Sequence, residues 1–254
     1  MARGYIRKTT SYGPFTEIKK YFTAMYGNHG TRRKREKPSS EAVKDHNRRM
    51  TIDRLYKKMV CNFVPVKDYF LTLTLDAKYR SDPEKAHELF CKKFIPAMRK
   101  AYKREGLEFK YIFSVGGFPA GIHFHVVINS FGGKSINELM MELWPYGSVK
   151  SMEPLYKDYD WWNLAAYMVK NSFESYKKPG NPFRQIYTPS RNLKKPEERV
   201  EIIKAGKWRQ KPDLSEKQKA AGLRIVPDSV VVGTDIWGFD YQRYVIENLR
   251  RSRN

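Results

Sequence analysis

The sequence predicts an α+β fold: a split βαβ antiparallel sheet of ferredoxin-like topology, with a basic N-terminal arm and a C-terminal extension. Three observations carry this reading. Apolar and small polar residues alternate from Asp68 to Asp76. The segments that follow switch between strand and helix periodicity in the order strand, helix, strand, strand, helix, strand, helix. Both ends of the chain, by contrast, are rich in polar and basic residues.

The first strand sets the pattern. Leu71, Leu73 and Leu75 fall on one side of it, and Thr72, Thr74 and Asp76 on the other. That division predicts a sheet covered by helices on one side and open on the other. Ser81-Asp82-Pro83-Glu84 then joins a capping residue to a proline at an early helical position. Ala86, Leu89, Phe90, Phe94, Ala97 and Ala101 keep helical spacing up to Gly106, with a kink expected at Pro96. Strands follow at Phe109 to Val115 and Ile122 to Ser130, joined through Gly116-Gly117-Phe118-Pro119. Ser135-Ile136-Asn137-Glu138 is a capping box before a short helix that ends near Trp144. Tyr146 to Met152 reads as a fourth strand, and Asp160 caps a helix from Trp161 to Tyr176. The expected partition is an arm over residues 1–65, the α+β domain over 66–178 and the extension over 179–254. Within the extension, a strand at Ser229 to Val232 and a helix at Tyr241 to Arg250 are expected.

Composition narrows the partner. A chain of 254 residues, 41% hydrophobic, can bury one sizeable core plus an appendage or a second small domain. Its formal charge of +22 is spread along the whole chain and favours a polyanion, nucleic acid being the usual one. An anionic membrane would call for a basic amphipathic helix or a lipid anchor, and the sequence offers no convincing example of either. Cys61 and Cys91 have no metal spacing and no disulfide framework, which makes them small buried apolar residues. The start MARGYIRKTTSYGPF lacks the apolar stretch of a secretory signal, so a soluble, cytoplasmic protein is expected. No Walker-type glycine loop occurs, so no attached helicase is expected. The run Thr31-Arg32-Arg33-Lys34-Arg35-Glu36-Lys37 reads either as a solvated arm or as one that orders on phosphates, and the two are compatible.

The chemistry concentrates in two places. In His123-Phe124-His125, a strand would project both imidazoles from one face, where they can hold a divalent cation. Thr72, Thr74 and Asp76 occupy the polar face of a strand that should neighbour it. In Tyr167-Met168-Val169-Lys170, helical spacing puts phenol and ammonium on one side, with Asn171 and Glu174 continuing the stripe. A phenol with a pKa near 10 is a poor nucleophile at neutral pH, and a nearby Lys could stabilise its phenolate or protonate a leaving oxygen.

Phe70-Leu71-Thr72-Leu73-Thr74, His123-Phe124-His125 and Tyr167-x-x-Lys170, in that order, resemble the three motifs of HUH endonucleases. More narrowly, the chain looks like the rolling-circle replication-associated (Rep) proteins of phages, plasmids and integrated elements. Leu143-Trp144-Pro145-Tyr146-Gly147, Leu164-Ala165-Ala166-Tyr167 and Ser190-Arg191-Asn192-Leu193-Lys194-Lys195-Pro196 add to the likeness, which covers roughly residues 66 to 197. The resemblance implies metal-dependent nicking and joining of single-stranded or hairpin origin DNA. A tyrosine would take the 5′-phosphate and leave a 3′-hydroxyl to prime synthesis. By motif match Tyr167 inherits the nucleophile role, Lys170 the supporting role, and His123 and His125 the Mn²⁺ or Mg²⁺ site. Such proteins usually add a carboxylate several residues before the histidines, but Tyr111-Ile112-Phe113-Ser114-Val115-Gly116 contains none. Asn171, Glu174 and Asp76 are the candidates for the missing ligand. Thr72, Thr74, Arg191, Lys194 and Lys195 are the candidate DNA contacts, with host replication proteins such as a helicase as further partners. The alternatives are a non-catalytic single-strand-binding module of the same fold, or a related transposase or relaxase.

Overall fold

The computed structural model describes residues 2–26, 40–132, 135–203, 212–235 and 237–252. The basic run Thr31 to Lys37 therefore lies outside the described residues. By contact, the chain forms two compact units: Ser40–Lys194, and a second made of Met1–Ser39 and Lys195–Asn254. No helix among the described residues is long and apolar enough to cross a membrane.

In chain order, strands β1 (Ala2–Tyr12) and β2 (Phe15–Tyr26) precede helix α1 (Glu41–Asn62) and strand β3 (Tyr69–Thr74). A helical connection follows: α2 (Ala77–Arg80), α3 (Pro83–His87), a π-helical stretch at Glu88–Phe94, and α4 (Ile95–Arg104). Next come β4 (Tyr111–Gly116), β5 (His123–Ile128), α5 (Ile136–Leu143), β6 (Val149–Pro154), α6 (Trp162–Phe173) and β7 (Thr188–Pro189). The chain closes with β8 (Glu197–Ile202), α7 (Glu216–Ala220), β9 (Leu223–Ile225), β10 (Val231–Thr234), β11 (Asp240–Asn248) and α8 (Leu249–Ser252).

The unit Ser40–Lys194 is α+β, built on an antiparallel sheet in the order β6-β3-β5-β4-β7. Its alternation matches the expectation from Leu71, Leu73 and Leu75, all buried, and from Tyr111, Phe113, Val115, Phe124, Val126 and Ile128 on the same face. Against that face pack Phe90, Phe94, Met98 and Tyr102 from the helical connection and Leu139, Met140 and Trp144 from the α5 segment. Phe90 stacks on Phe124 with ring centroids 4.0 Å apart.

The kink expected at Pro96 takes a different form. The wide turns end at Ile95, whose N–H bonds to the Phe90 carbonyl five residues back, just before a proline with no N–H to give.

The opposite face is not open throughout, as the alternation had suggested. α6 packs against β4 and α1 packs against α6. Ile112 and Val127, on the same face as the histidines, are fully buried, as are Ala165, Met168 and Val169 of α6. These apolar positions at one end of β4 and β5 require a cover, whereas Thr72, Thr74 and His123 remain half-exposed. Trp161 fixes the start of α6, its buried indole donating from Nε1 to the Tyr156 carbonyl at 2.8 Å.

Gly147 lets the Trp144–Ser148 segment cross the end of β3. A Cβ there would lie 2.0 Å from the Thr74 carbonyl oxygen, a backbone atom that cannot move aside. The same carbonyl accepts from Trp144 Nε1 at 3.1 Å, and Thr74 N donates to the Ser148 carbonyl at 2.9 Å.

The second unit holds a sheet in the order β10-β11-β2-β1-β8, with β9 also paired to β11. Here the structure departs from sequence expectation twice. Residues 2–26 of the expected arm are a β-hairpin, and the helix expected at Tyr241 to Arg250 is mostly the strand β11. The cause is non-local pairing. β11 has partners on both sides, and it buries Tyr244 and Ile246 beside Leu214. Lys8 meets Glu198 at 2.9 Å across β1 and β8, and Arg243 meets the buried Glu17 at 2.6 Å across β11 and β2. Charge that reads as solvated in sequence is thus partly neutralised by carboxylates some two hundred residues away. β10 begins two residues later than the strand expected from Ser229, because Pro227–Ser229 form a 3₁₀ turn.

Candidate active site

The sheet register assembles the site. On β5, His125 stands between Thr72 of β3 and Ser114 of β4, while His123 stands between Thr74 and Gly116. Partners in register point to the same face, so six side-chain positions from three strands converge there. The two imidazole centroids are 4.8 Å apart. Gly116 makes room for one of them: a Cβ on it would sit 2.4 Å from His123 Nε2.

The two rings differ electrostatically. His123 is partly exposed, and its Nδ1 lies 2.8 Å from the Gly121 carbonyl oxygen. A carbonyl only accepts, so Nδ1 carries the proton and Nε2 keeps its lone pair. His125 is 1% exposed, with Nδ1 3.4 Å from Thr72 Oγ1 and Nε2 buried without a partner. Burial, and secondarily the neighbouring His123, push its pKa down to about 4. At neutral pH it is therefore an uncharged imidazole.

This shift predicts an acid sensitivity of the metal-free protein. The unfolded chain takes up a proton near pH 6.5 that folded His125 refuses until about pH 4. Stability is thus complete above pH 6.5 and is lost as pH falls through that window, by on the order of 3 kcal/mol. Thermal melts from pH 7 to 4.5 should fall more steeply for the wild type than for His125→Gln. Parallel slopes would refute this assignment.

Tyr167 reaches the same surface from α6. Its ring centroid lies 4.7 Å from that of His125 and 6.4 Å from that of Phe70. Phe70 in turn stacks on His125 at 5.9 Å. Tyr167 is 47% exposed, so the phenol borders solvent while its ring edges onto the imidazole. Lys170 is exposed one helical turn further on.

The other candidate residues lie as follows. Thr72 contacts His125, whereas Thr74 bonds Ser148, its Oγ1 2.7 Å from the serine Oγ. Glu174 pairs with Arg48 at 3.2 Å, and Asn171 donates from Nδ2 to the Tyr167 carbonyl at 2.9 Å. Asp76 precedes α2 as its exposed capping position, without a side-chain capping bond. Among the described residues, no group of three His, Cys, Asp or Glu side chains could hold a metal ion. Arg191, Lys194 and Lys195 are exposed, and the Lys194 backbone is held by Asn62, which accepts from its N–H at 2.7 Å.

Sequence reading missed three contributors. Phe70 packs beside both the tyrosine and the buried histidine. Gly116 gives the His123 ring its space. Ser114 is 1% exposed next to His125, with its hydroxyl unpartnered. The signal for all three was the alternation of β3 and β4, whose even-numbered residues share the histidine face.

A sheet that carries two neutral imidazoles beneath a helix-borne phenol defines a site of the nucleophile-with-electrophile type. Residues 68–172 match a family model of replication-associated proteins, that of the ORF2 type, and this segment contains Thr72, both histidines, Tyr167 and Lys170. The match spans less than half of the chain and supports a replication-associated protein of Rep type, with a role in replication initiation. No curated protein and no solved structure matches the chain.

Proposed function

We propose that the unit Ser40–Lys194 is an HUH-type endonuclease that nicks and rejoins single-stranded origin DNA to start rolling-circle replication. The observation that supports this most directly is the edge-on approach of the Tyr167 and His125 rings at 4.7 Å on a half-open sheet face. In the reaction, the Tyr167 oxygen attacks a backbone phosphorus and loses its proton. The bond to the 3′ oxygen breaks, and that oxygen takes up a proton to become the primer hydroxyl. Rejoining reverses the same exchange, so the phosphodiester energy is kept in the phosphotyrosine link. Lys170, one turn from Tyr167, stabilises the phenolate and can return the proton to the leaving oxygen.

The donor set fits an imidazole-binding divalent cation. His125 presents a buried Nε2 without a partner, and His123 has its Nε2 lone pair left over from the Gly121 bond. Ser114 would add a neutral oxygen beside them, in register with His125. Such a cation, when bound, would polarise the scissile phosphate and fix its orientation. The chain itself contributes position: His125 is locked by burial, and Phe70 and Thr72 flank its ring.

A second reading, a strand-binding module without covalent chemistry, is favoured by the lack of an acid beside the histidines among the described residues. One experiment separates the two. The protein is incubated with a labelled single-stranded origin library and Mn²⁺ or Mg²⁺, then run on a denaturing gel. Nicking predicts a slow-migrating protein–DNA adduct that vanishes with EDTA. Retention of the library on native gels with no adduct under any metal would establish the binding module instead.

A further inference from the structure

A cleft of about 420 Å³ in the unit Ser40–Lys194 belongs to none of the groups described above. It lies between α1 and the segment that follows α6, lined among others by Lys58, Tyr176, Arg184, Gln185 and Tyr187. No carboxylate lines it. The walls are built rather than draped. Ser172 on α6 donates its hydroxyl to the Ile186 carbonyl, holding the segment down. Two residues later Thr188–Pro189 join the catalytic sheet as β7, beside β4. The cleft thus sits at the β7 edge of the sheet that carries the histidines two strands away. Its chemistry has two halves. Lys58 and Arg184 supply fixed positive charge. Tyr176 and Tyr187 supply aromatic faces, with the Lys58 ammonium 5.8 Å from the Tyr187 ring centroid. Burial raises the Tyr187 pKa, so its phenol stays neutral and does not cancel the cations.

Cations and rings in one open groove, with no acid, suit a phosphate and its base together. We infer that this cleft holds a nucleotide of the DNA strand flanking the one at Tyr167, with Lys58 and Arg184 on phosphate and Tyr176 or Tyr187 against a base. A strand is favoured over a free nucleotide because the cleft is open and shares a sheet with the candidate nucleophile's site. The inference rests on the proposed strand-handling function but does not need the nicking step. It also gives Tyr176, nine residues beyond Tyr167, a stacking role, and it picks Arg184, Gln185 and Tyr187 out of the basic segment Phe183 to Lys195.

The test uses the full chain carrying Tyr167→Phe, so that binding is read without chemistry. A fluorescein-labelled 20-nucleotide oligothymidylate is titrated at several salt concentrations. In Lys58→Gln with Arg184→Gln, the slope of log affinity against log salt should shrink by about 1.4, at about 0.7 per lost phosphate contact. Affinity at moderate salt should fall about tenfold or more. Tyr187→Ala should weaken binding about fivefold or more without changing the slope, and Tyr187→Phe should restore it. Circular dichroism melts confirm that each variant is folded. An unchanged slope and affinity in the folded double variant would overturn the inference. So would displacement of the labelled strand by thymidine monophosphate at the same nucleotide concentration as by unlabelled strand, since the site would then take a free nucleotide. If no adduct ever forms yet the slope drops as stated, the nicking proposal fails and the cleft stands.

Discussion

Tyr167→Phe should abolish the covalent protein–DNA adduct and lower nicking by at least about three orders of magnitude, while leaving strand affinity within about twofold. The substitution removes only the oxygen. The ring that edges onto His125 and Phe70 is retained, so packing around the buried imidazole is preserved. Tyr167 is 47% exposed, and its hydroxyl is not required for the fold, so melting temperature should be nearly unchanged. Denaturing gels read the adduct, and fluorescence anisotropy reads affinity. An adduct of undiminished yield in Tyr167→Phe would reassign the nucleophile, and Tyr176, which lines the basic cleft, would be examined next.

The second large effect concerns the cation. The groups that converge on the histidine pair from β3 and β4 are neutral: Thr72, Thr74, Ser114 and Gly116. Ligand charge sets much of a site's affinity for a divalent ion, so the wild type should hold Mn²⁺ weakly until DNA phosphate adds negative charge. Ser114→Asp places a carboxylate beside His125 and should raise Mn²⁺ affinity without DNA by about tenfold or more. His125→Ala should lower the Mn²⁺ affinity of the DNA-bound protein by about a hundredfold and nicking with it. Mn²⁺ paramagnetic resonance, with and without an uncleavable oligonucleotide, reads both. Equal affinity in the presence and absence of DNA, with no gain in Ser114→Asp, would remove these side chains from the cation site.

Much of this was legible in the residues. The alternation of Leu71 to Leu75 placed β3 and its faces, because a strand's side chains must alternate whatever it pairs with. The capping boxes and Pro83 located α3 and α5, since capping is satisfied within a few residues of chain. The spacing of His123 and His125 put both rings on one face for the same local reason. What local pattern could not supply was every pairing across long separations. The hairpin β1–β2 read as a charged arm because Glu17, Glu198 and Glu201 lie on strands or at separations that no window connects. β11 read as a helix because its partners, β2 and β9, are set by the tertiary fold.

The sequence by itself determined which residues carry the chemistry and which faces of their own elements they occupy. Only the tertiary structure decided that a helix would cover half of the histidine face and bring the Tyr167 ring to 4.7 Å from His125. It also decided that Ser114 and Gly116, silent in sequence, would stand beside the imidazoles. The reason is physical: face and period follow from backbone geometry within a few residues. Burial, register and the pKa of His125 depend on atoms that the chain brings together only when the core closes.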